Sequence, residues 1–155
     1  MELDRNTFLI YNKVYEHAKL AQWGTGGRDV GTYEQHINAD QLWLLEQSSK
    51  YPGYYYINNV KHEGYRLAKW DNGDEDVGVY SGQYYEDQLW RFEREGDYYR
   101  IYNKKYPSAK IAKWGKGDGD WGTYAGADCN DQLWKLVPRF KAKASEHEIW
   151  SCDNR

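Results

Sequence analysis

The sequence predicts an all-β fold built from three pseudo-symmetric, four-stranded repeats. Three blocks of 34 residues align without a gap, and each block closes on the tetrapeptide Asp-Gln-Leu-Trp. Short runs rich in Tyr, Ile, Val and Trp alternate with clusters of Gly, Asn and Asp, which is typical of strands joined by turns. No stretch inside the blocks has the apolar spacing of an amphipathic helix. The blocks are residues 10–43, 57–90 and 101–134.

The third block shows the four predicted strands most clearly. They cover residues 98–103, 109–114, 121–124 and 132–136. The segment between the second and third strands, Gly-Lys-Gly-Asp-Gly-Asp, is expected to be a hairpin turn, because Gly and Asp favour turns. Each block is too small to bury its own apolar face, so the three blocks should close a ring around one core.

The repeats define one predicted domain, residues 1–137, followed by a C-terminal tail or linker, residues 138–155, that matches no repeat. The blocks start 47 and then 44 residues apart, and the difference lies in the linker after the first block, where insertions cost little. Such a tail leaves open whether the chain is a fragment of a larger protein. The predicted repeats are residues about 8–53, 54–97 and 98–137.

Composition limits the class of protein. The mean hydropathy of −1.05 is low, but 8 Trp, 16 Tyr and 3 Phe in 155 residues indicate a folded chain with an aromatic core. The formal net charge of −3 provides no general attraction for nucleic acid. The N-terminal segment has no apolar run, so we expect no signal peptide, no membrane span, and a cytoplasmic or leaderless secreted protein. An oligomer is possible.

Catalysis and cofactors have little support in the sequence. The 4 histidines share no repeat position, and no Ser or Cys lies in a nucleophile motif, so we expect no enzyme activity and no cofactor. Cys129 and Cys152 show no metal-ligand spacing and are expected to be free thiols, although the sequence does not decide whether they pair. Acidic runs in the second and third hairpins have no counterpart in the first, so no metal is expected either.

The Gln-Leu-Trp that ends each block resembles the Gln-x-Trp repeat of the ricin B-like lectins, a family of carbohydrate-binding modules with a β-trefoil fold. The resemblance covers residues 8–137. It implies a six-stranded barrel with three hairpins, in which the tryptophans lie in the shared core and the glutamines hold the loop before them. We call these residues the motif tryptophans (Trp43, Trp90 and Trp134) and the motif glutamines (Gln41, Gln88 and Gln132).

The same resemblance implies a sugar pocket between the second-third hairpin and the loop before the fourth strand of each repeat. An aromatic residue on the third strand stacks on the sugar, and the residue before the motif glutamine bonds its hydroxyls. Here these positions are the third-strand tyrosines (Tyr33, Tyr80 and Tyr124) and the motif aspartates (Asp40, Asp87 and Asp131). An aromatic face with a carboxylate suits a ligand that has an apolar patch and directional hydroxyl donors.

One part of the family's pocket is missing from this chain. The second strand usually carries an aspartate that bonds the sugar, whereas two alignments place either a basic column or an alanine column there. The basic column is Lys19, Arg66 and Lys110, and the alanine column is Ala21, Ala68 and Ala112. Carboxylates in the hairpin are expected to replace the missing group, with a nearby glycine that lets a ligand approach. These hairpin aspartates are Asp29, Asp76 and Asp120. Three weak sites on one body would gain by multivalency.

Simpler interpretations exist for these residues. The tyrosines could pack across strands, the hairpin aspartates could bond their own turn, and a further aromatic column, the hairpin tryptophans, could pack in the core or the cap. The hairpin tryptophans are Trp23, Trp70 and Trp114. The alternative functions are a β-trefoil protein-interaction module, of the actin-bundling or cytokine type, and the glycan-targeting module of a larger toxin or enzyme. The sequence determines neither which sugar is bound nor how many of the three sites bind it.

Overall fold

The protein is an all-β structure in which six strands form a closed barrel. A computed structural model describes residues 7–144 and 147–152. The barrel strands are β1 (Thr7–Asn12), β4 (Trp43–Gln47), β5 (Tyr54–Asn59), β8 (Leu89–Glu95), β9 (Tyr98–Asn103) and β12 (Trp134–Ala144). They pair antiparallel in the order β1, β4, β5, β8, β9, β12 and back to β1. Closure leaves the barrel without a free sheet edge.

Three hairpins complete the repeats. Each consists of the second and third strands of a repeat, joined through four cross-strand residue pairs. The hairpins are β2 (Lys19–Gln22) with β3 (Val30–Tyr33), β6 (Arg66–Lys69) with β7 (Val77–Tyr80), and β10 (Lys110–Lys113) with β11 (Trp121–Tyr124). The predicted all-β β-trefoil with three pseudo-symmetric four-stranded repeats is confirmed.

The fourth strand of the third repeat begins later than the sequence predicted. A single 3₁₀ turn ends on each motif glutamine, and in the third repeat the strand starts at Trp134 rather than at Gln132. The turn uses local hydrogen bonds between residues three apart, such as Leu133 N to Asn130 O at 3.1 Å, so these groups do not enter the barrel ladder. The turns are Ala39–Gln41, Glu86–Gln88 and Asn130–Gln132.

The motif tryptophans lie in the shared core, as predicted. All three side chains are fully buried among aliphatic residues such as Ile10, Ile57 and Ile101. Each indole N–H donates to a carbonyl of the second strand of its own repeat, so burial leaves no unpaired donor. The acceptors are Leu20 O at 3.0 Å, Leu67 O at 3.0 Å and Ile111 O at 2.8 Å.

The last barrel strand continues beyond residue 137. β12 extends to Ala144 and pairs with a further strand, β13 (His147–Cys152), so part of the segment predicted to be a tail or linker forms a hairpin on the barrel. The boundaries proposed for the domain and its repeats stay predictions. Cys129 carries an exposed free thiol, whereas the side chain of Cys152 lies outside the described residues.

Candidate functional site

The motif glutamines hold the loop that precedes the fourth strand. In each repeat the buried side-chain amide donates to the carbonyl five residues earlier in the chain. These bonds run to His36 O at 2.9 Å, Gln83 O at 3.0 Å and Ala127 O at 3.1 Å. Because the glutamines are buried and bonded to this loop, they hold the loop at one position. The role that the resemblance implied for these residues is confirmed.

The third-strand tyrosines lie at the ends of the hairpins, opposite the basic column. The Cα partners are Lys19 with Tyr33, Arg66 with Tyr80, and Lys110 with Tyr124. The alanine column follows two residues later on the same strand, so both alignments considered for the missing aspartate fall on one face of the hairpin. Tyr80 and Tyr124 are 42% and 40% exposed, and Tyr33 is half-buried. Each repeat therefore presents an aromatic surface at this point.

Two members of the basic column hold the loop before the fourth strand. Arg66 donates through Nη2 to the Gly82 carbonyl at 2.8 Å, and Lys110 donates through Nζ to the equivalent carbonyl of Gly126 at 3.1 Å. Both side chains are almost fully buried. In the second and third repeats the basic column therefore has a structural role, and since neither this column nor the alanine column supplies a carboxylate, hydroxyl acceptors must come from other residues.

Each hairpin aspartate closes its own turn. Its Oδ2 atom accepts a hydrogen bond from the backbone N–H of the residue three positions earlier. The donors are Gly26 N at 2.8 Å, Gly73 N at 2.9 Å and Gly117 N at 2.9 Å. The backbone of the aspartate takes part as well, since Asp29 N donates to Gly26 O at 3.0 Å. In the structure, this carboxylate therefore bonds its own turn, which is the simpler of the two interpretations of the hairpin aspartates.

The hairpin aspartates and the third-strand tyrosines lie at opposite ends of the third strand. Asp29 precedes β3, which ends at Tyr33. Four steps of about 3.3 Å along a strand separate the two Cα atoms by about 13 Å, which is more than one sugar ring spans. The structure does not bring this predicted pair into one pocket, and any contact of the hairpin aspartates with carbohydrate stays a prediction.

Each third strand contains a glycine that leaves room for the backbone of another repeat. In the second repeat, Val79 N donates to Gly27 O at 2.9 Å, and a Cβ atom on Gly78 would lie 2.0 Å from that same oxygen. Equivalent bonds join Thr123 N to Asp74 O and Thr32 N to Asp118 O, both at 2.8 Å. Each hairpin loop therefore docks on the third strand of another repeat, and the three contacts form a cycle. Protein backbone fills the space that we expected a ligand to use.

The hairpin tryptophans lie outside the core. They are 49%, 37% and 41% exposed in chain order, although one edge of each ring packs on the hairpin. The Cη2 atom of Trp70 lies 2.8 Å from the position that a Cβ on Gly78 would take, and the Arg28 guanidinium lies 5.1 Å from the Trp70 ring centroid. Of the packing roles considered for this column, the structure shows packing on the hairpin and not burial in the core.

The motif aspartates lie where one repeat meets the next. The backbone carbonyl of each accepts a hydrogen bond from the side-chain amide of an asparagine that is identical in all three repeats. The bonds run from Asn59 to Asp40 at 3.0 Å, from Asn103 to Asp87 at 3.0 Å, and from Asn12 to Asp131 at 2.9 Å. The identity of this asparagine was visible in the sequence, but its function was not assigned from it.

Two of the motif aspartates have a carboxylate oxygen without a hydrogen-bond donor. Among the described residues, the Oδ1 atoms of Asp40 and Asp87 are shielded from solvent and accept no hydrogen bond. Burial raises the pKa of the Asp87 and Asp131 carboxyl groups above the usual aspartate range, and the nearby Lys105 only partly offsets this for Asp87. A buried acceptor without a partner costs stability, and because solvent does not reach the two Oδ1 atoms, these oxygens are not themselves open to a ligand.

The second repeat adds an exposed aromatic residue that sequence reasoning missed. The Tyr85 ring centroid lies 6.1 Å from that of Tyr80, and Tyr85 is half-exposed. Neither of the other repeats has an aromatic residue at this position, so the repeat comparison carried no signal for it. A cavity of about 400 Å³ adjoins it, lined by Tyr85, Glu86, Asp87 and Lys105. The aromatic surface of Tyr80 thus continues through Tyr85 to the motif aspartate.

The part of the chain that the structure describes has neither a cluster of metal ligands nor a membrane-spanning helix. Within it, no three His, Cys, Asp or Glu side chains form a group that could hold a metal ion. Within the same residues, no helix has the length and apolar character needed to cross a membrane.

Comparison with known families gives a match over the centre of the chain. Residues 39–125 match the family model of the ricin-type beta-trefoil lectin domain-like proteins, which covers more than half of the chain. The chain belongs to this lectin-like family. The matched region of this ricin-type domain includes Asp40, Asp87, Tyr80 and Tyr124. No match was found among the curated proteins.

Solved structures share the fold of this ricin-type domain at low sequence identity. The BEL β-trefoil is 20% identical with a TM-score of 0.76, and the match covers 89% of this chain and 96% of that one. SeviL, solved with asialo-GM1 saccharide, is 24% identical with a TM-score of 0.66, covering 85% and 96%. An exo-β-1,3-galactanase from Clostridium thermocellum is 24% identical with a TM-score of 0.72, covering 87% of this chain but 30% of the enzyme.

Proposed function

We propose that this ricin-type domain is a carbohydrate-binding lectin with up to three sugar sites, one per repeat, formed by a third-strand tyrosine and a motif aspartate. The observation that carries the proposal is the exposed ring of Tyr80, which continues through Tyr85 to a cavity lined by Asp87, the residue to which the resemblance assigns the sugar hydroxyls. A sugar fits this arrangement, because its C–H face packs on an aromatic ring and its hydroxyls donate to carboxylates.

The second repeat offers the most complete site. Tyr80 and Tyr85 form adjoining aromatic surfaces, and Asp87 lines the cavity of about 400 Å³ beside Tyr85. Lys105, from the third repeat, lines the same cavity and is placed to donate to a sugar oxygen. In this proposal the hairpin aspartates shape the turns, and the motif aspartates accept the hydroxyl hydrogen bonds.

The proposed partners are glycans or glycoconjugates, and the proposed activity is binding without catalysis. Family membership supports it, and SeviL was solved with a bound saccharide. A second candidate is the glycan-targeting module of a larger toxin or enzyme. It is favoured by the galactanase, in which a region that resembles this chain makes up 30% of the protein. Both candidates predict the same sugar sites.

A broad glycan array, with the wild type and the variant Tyr33→Ala/Tyr80→Ala/Tyr124→Ala, tests the proposal. We expect the wild type to bind a defined set of glycans and the triple variant to lose most of that binding, while far-ultraviolet circular dichroism shows that it stays folded. Failure of the wild type to bind any glycan would reject the proposal in favour of a protein-interaction module. Full binding by the folded triple variant would move the sites elsewhere, with the hairpin tryptophans as the next candidates.

A further inference from the structure

A second surface groove lies between the first and second repeats, and the third-strand tyrosines do not line it. It has a volume of about 430 Å³, within the range of small-molecule sites. Strand β4 contributes Leu44 and Glu46, and strand β5 contributes Asn58. The side chains that carry the argument below are Leu44, Glu46, Asn58, Glu63, Arg66 and Tyr84. Neither Tyr80 nor Asp87 lines it, although Arg66 lies opposite Tyr80, so the groove adjoins the site proposed above without sharing these two residues.

The groove is open because the repeats differ at one cross-strand pair. Leu44 faces Asn58 between β4 and β5. At the equivalent place between β8 and β9, Arg91 faces Tyr102, and its guanidinium lies 4.3 Å from the centroid of the Tyr102 ring. The third equivalent pair is Tyr11 with Lys135. Two junctions therefore carry a long cation opposite a tyrosine, whereas this junction has two shorter side chains that leave the space unfilled.

One wall of the groove is a fixed aromatic ring. The Arg66 guanidinium lies 4.0 Å from the centroid of the Tyr84 ring, and the Tyr56 ring packs against Tyr84 with 4.9 Å between centroids. Arg66 is itself held by Gln88 Oε1, which accepts from its Nε at 2.9 Å. Tyr84 nevertheless stays 59% exposed, so it is oriented by protein contacts and still accessible. A pre-oriented aromatic residue loses little entropy when a ligand binds.

The charges of the lining indicate a neutral, polar ligand. The buried Arg66 cation beneath the Tyr84 ring opposes a cationic ligand on that ring, and the carboxylates of Glu46 and Glu63 oppose an anionic one. What the groove offers is an apolar surface from Tyr84 and Leu44 together with carboxylate acceptors. This combination fits a pyranose, with its C–H face and its hydroxyl donors. We propose that the groove binds a single neutral sugar residue, independently of the third-strand tyrosines.

Chemical-shift titration of the ¹⁵N-labelled full chain tests this proposal. The probes are the methyl glycosides of glucose, galactose, mannose and N-acetylglucosamine, with tetramethylammonium and sulfate as charged controls. We expect at least one glycoside to shift amide signals of residues 44–46 and 58–64, and Tyr84→Ala to weaken that binding at least tenfold. Tyr80→Ala, which removes part of the other site, should leave these shifts unchanged.

A second variant separates loss of the groove from loss of the fold. Leu44→Arg/Asn58→Tyr copies the Arg91 and Tyr102 pair, which the same barrel already accommodates at an equivalent place. It should fold and lose the shifts at residues 58–64. The proposal is overturned if no glycoside shifts these signals, if the shifts persist in the filled variant, or if only a charged probe produces them. None of these outcomes depends on whether the third-strand sites bind.

Discussion

The side-chain amide of Asn59 donates to the backbone carbonyl of Asp40 at 3.0 Å, and its oxygen accepts from His62 N at 3.0 Å. One residue of the second repeat therefore fixes the position of a candidate sugar-binding residue in the first. The same relationship recurs around the molecule, because Asn12 and Asn103 make the equivalent bonds. Each proposed sugar site depends on two consecutive repeats rather than on one.

Replacing Asn59 with Ala should destabilise the fold by about 1–3 kcal/mol, because buried backbone groups lose their hydrogen-bond partners. Urea unfolding followed by tryptophan fluorescence measures this change. The adjacent Asn58→Ala is the matched control, since the Asn58 side chain makes only long, exposed hydrogen bonds of 3.3 Å. Equal loss of stability in the two variants would contradict the assigned role of Asn59.

Replacing a motif tryptophan should cost far more stability than replacing a hairpin tryptophan of the same repeat. Trp134→Ala empties a fully buried site and leaves the Ile111 carbonyl without its donor, so we expect a loss of about 3–5 kcal/mol. Trp114→Ala removes a ring that is 41% exposed and should cost clearly less. Thermal unfolding of both variants gives the comparison, and similar midpoints would argue against the core placement.

Replacing Gly78 with Ala should weaken the contact between the first two repeats, because the new Cβ would overlap the Gly27 carbonyl oxygen. The backbone must then shift and the Val79-to-Gly27 hydrogen bond must lengthen. Gly119→Ala is the control, since a Cβ there meets nothing within 4 Å. We expect a lower unfolding midpoint for Gly78→Ala and little change for Gly119→Ala. A tolerated Gly78→Ala would show that this loop docks more loosely than described.

Replacing Asp87 with Asn should change the pH dependence of stability. Burial raises the Asp87 pKa, so ionisation is easier in the unfolded chain than in the folded one. The wild type therefore loses stability relative to Asp87→Asn as pH rises from the unfolded-state pKa through the raised folded-state pKa, and the difference is constant above it. Urea unfolding of both proteins from acidic to neutral pH tests this. A difference that grows as the pH falls would have the wrong sign.

Glycan binding should show the opposite pH dependence. The ionised Asp87 carboxylate is the better acceptor of sugar hydroxyls, so wild-type affinity should fall on acidification, beginning above the usual aspartate pKa. Asp87→Asn keeps a carbonyl acceptor and should bind with less pH dependence at that site. Calorimetric titration with a glycan taken from the array measures both effects. An identical pH profile in the two proteins would exclude Asp87 from the site.

Replacing Tyr80 alone with Ala should lower the measured stoichiometry of sugar binding by about one site, with cooperative unfolding retained. Avidity for a multivalent glycan should fall much more than affinity for a monosaccharide, because linked sites act together. Calorimetry with a monosaccharide and a surface assay with a multivalent glycan give the two values. Unchanged stoichiometry would mean that the second repeat does not bind through this tyrosine.

The repeat made the fold predictable, since it fixed the number of strands and the buried positions of residues such as Trp43 and Ile10. It predicted the interface between repeats less well. A glycine occurs two residues before each third-strand tyrosine because a backbone carbonyl from another repeat approaches it, as the Gly27 carbonyl approaches Gly78. Three-fold symmetry preserves such contacts as faithfully as a ligand site would, so identity between repeats could not separate the two causes.

The candidate site was predicted in part. Tyr80 and Asp87 follow from the motif, but the distance of Asp76 from Tyr80 depends on the length of the strand between them. Tyr84 and Tyr85 occur in one repeat alone, and a search for shared positions passes over them. Features that break the symmetry become visible only when the side chains are placed next to one another.

Closure of the barrel sets conditions on how the chain folds. The first strand pairs with the last barrel strand, and Thr32 contacts Asp118 across 86 positions of sequence. Contacts of this separation form late and slow the folding of all-β domains. Until β12 docks, β1 and β9 each present an unpaired edge on which another chain can add a strand. A chain cut before β12 is therefore expected to form an open, association-prone sheet rather than a smaller trefoil.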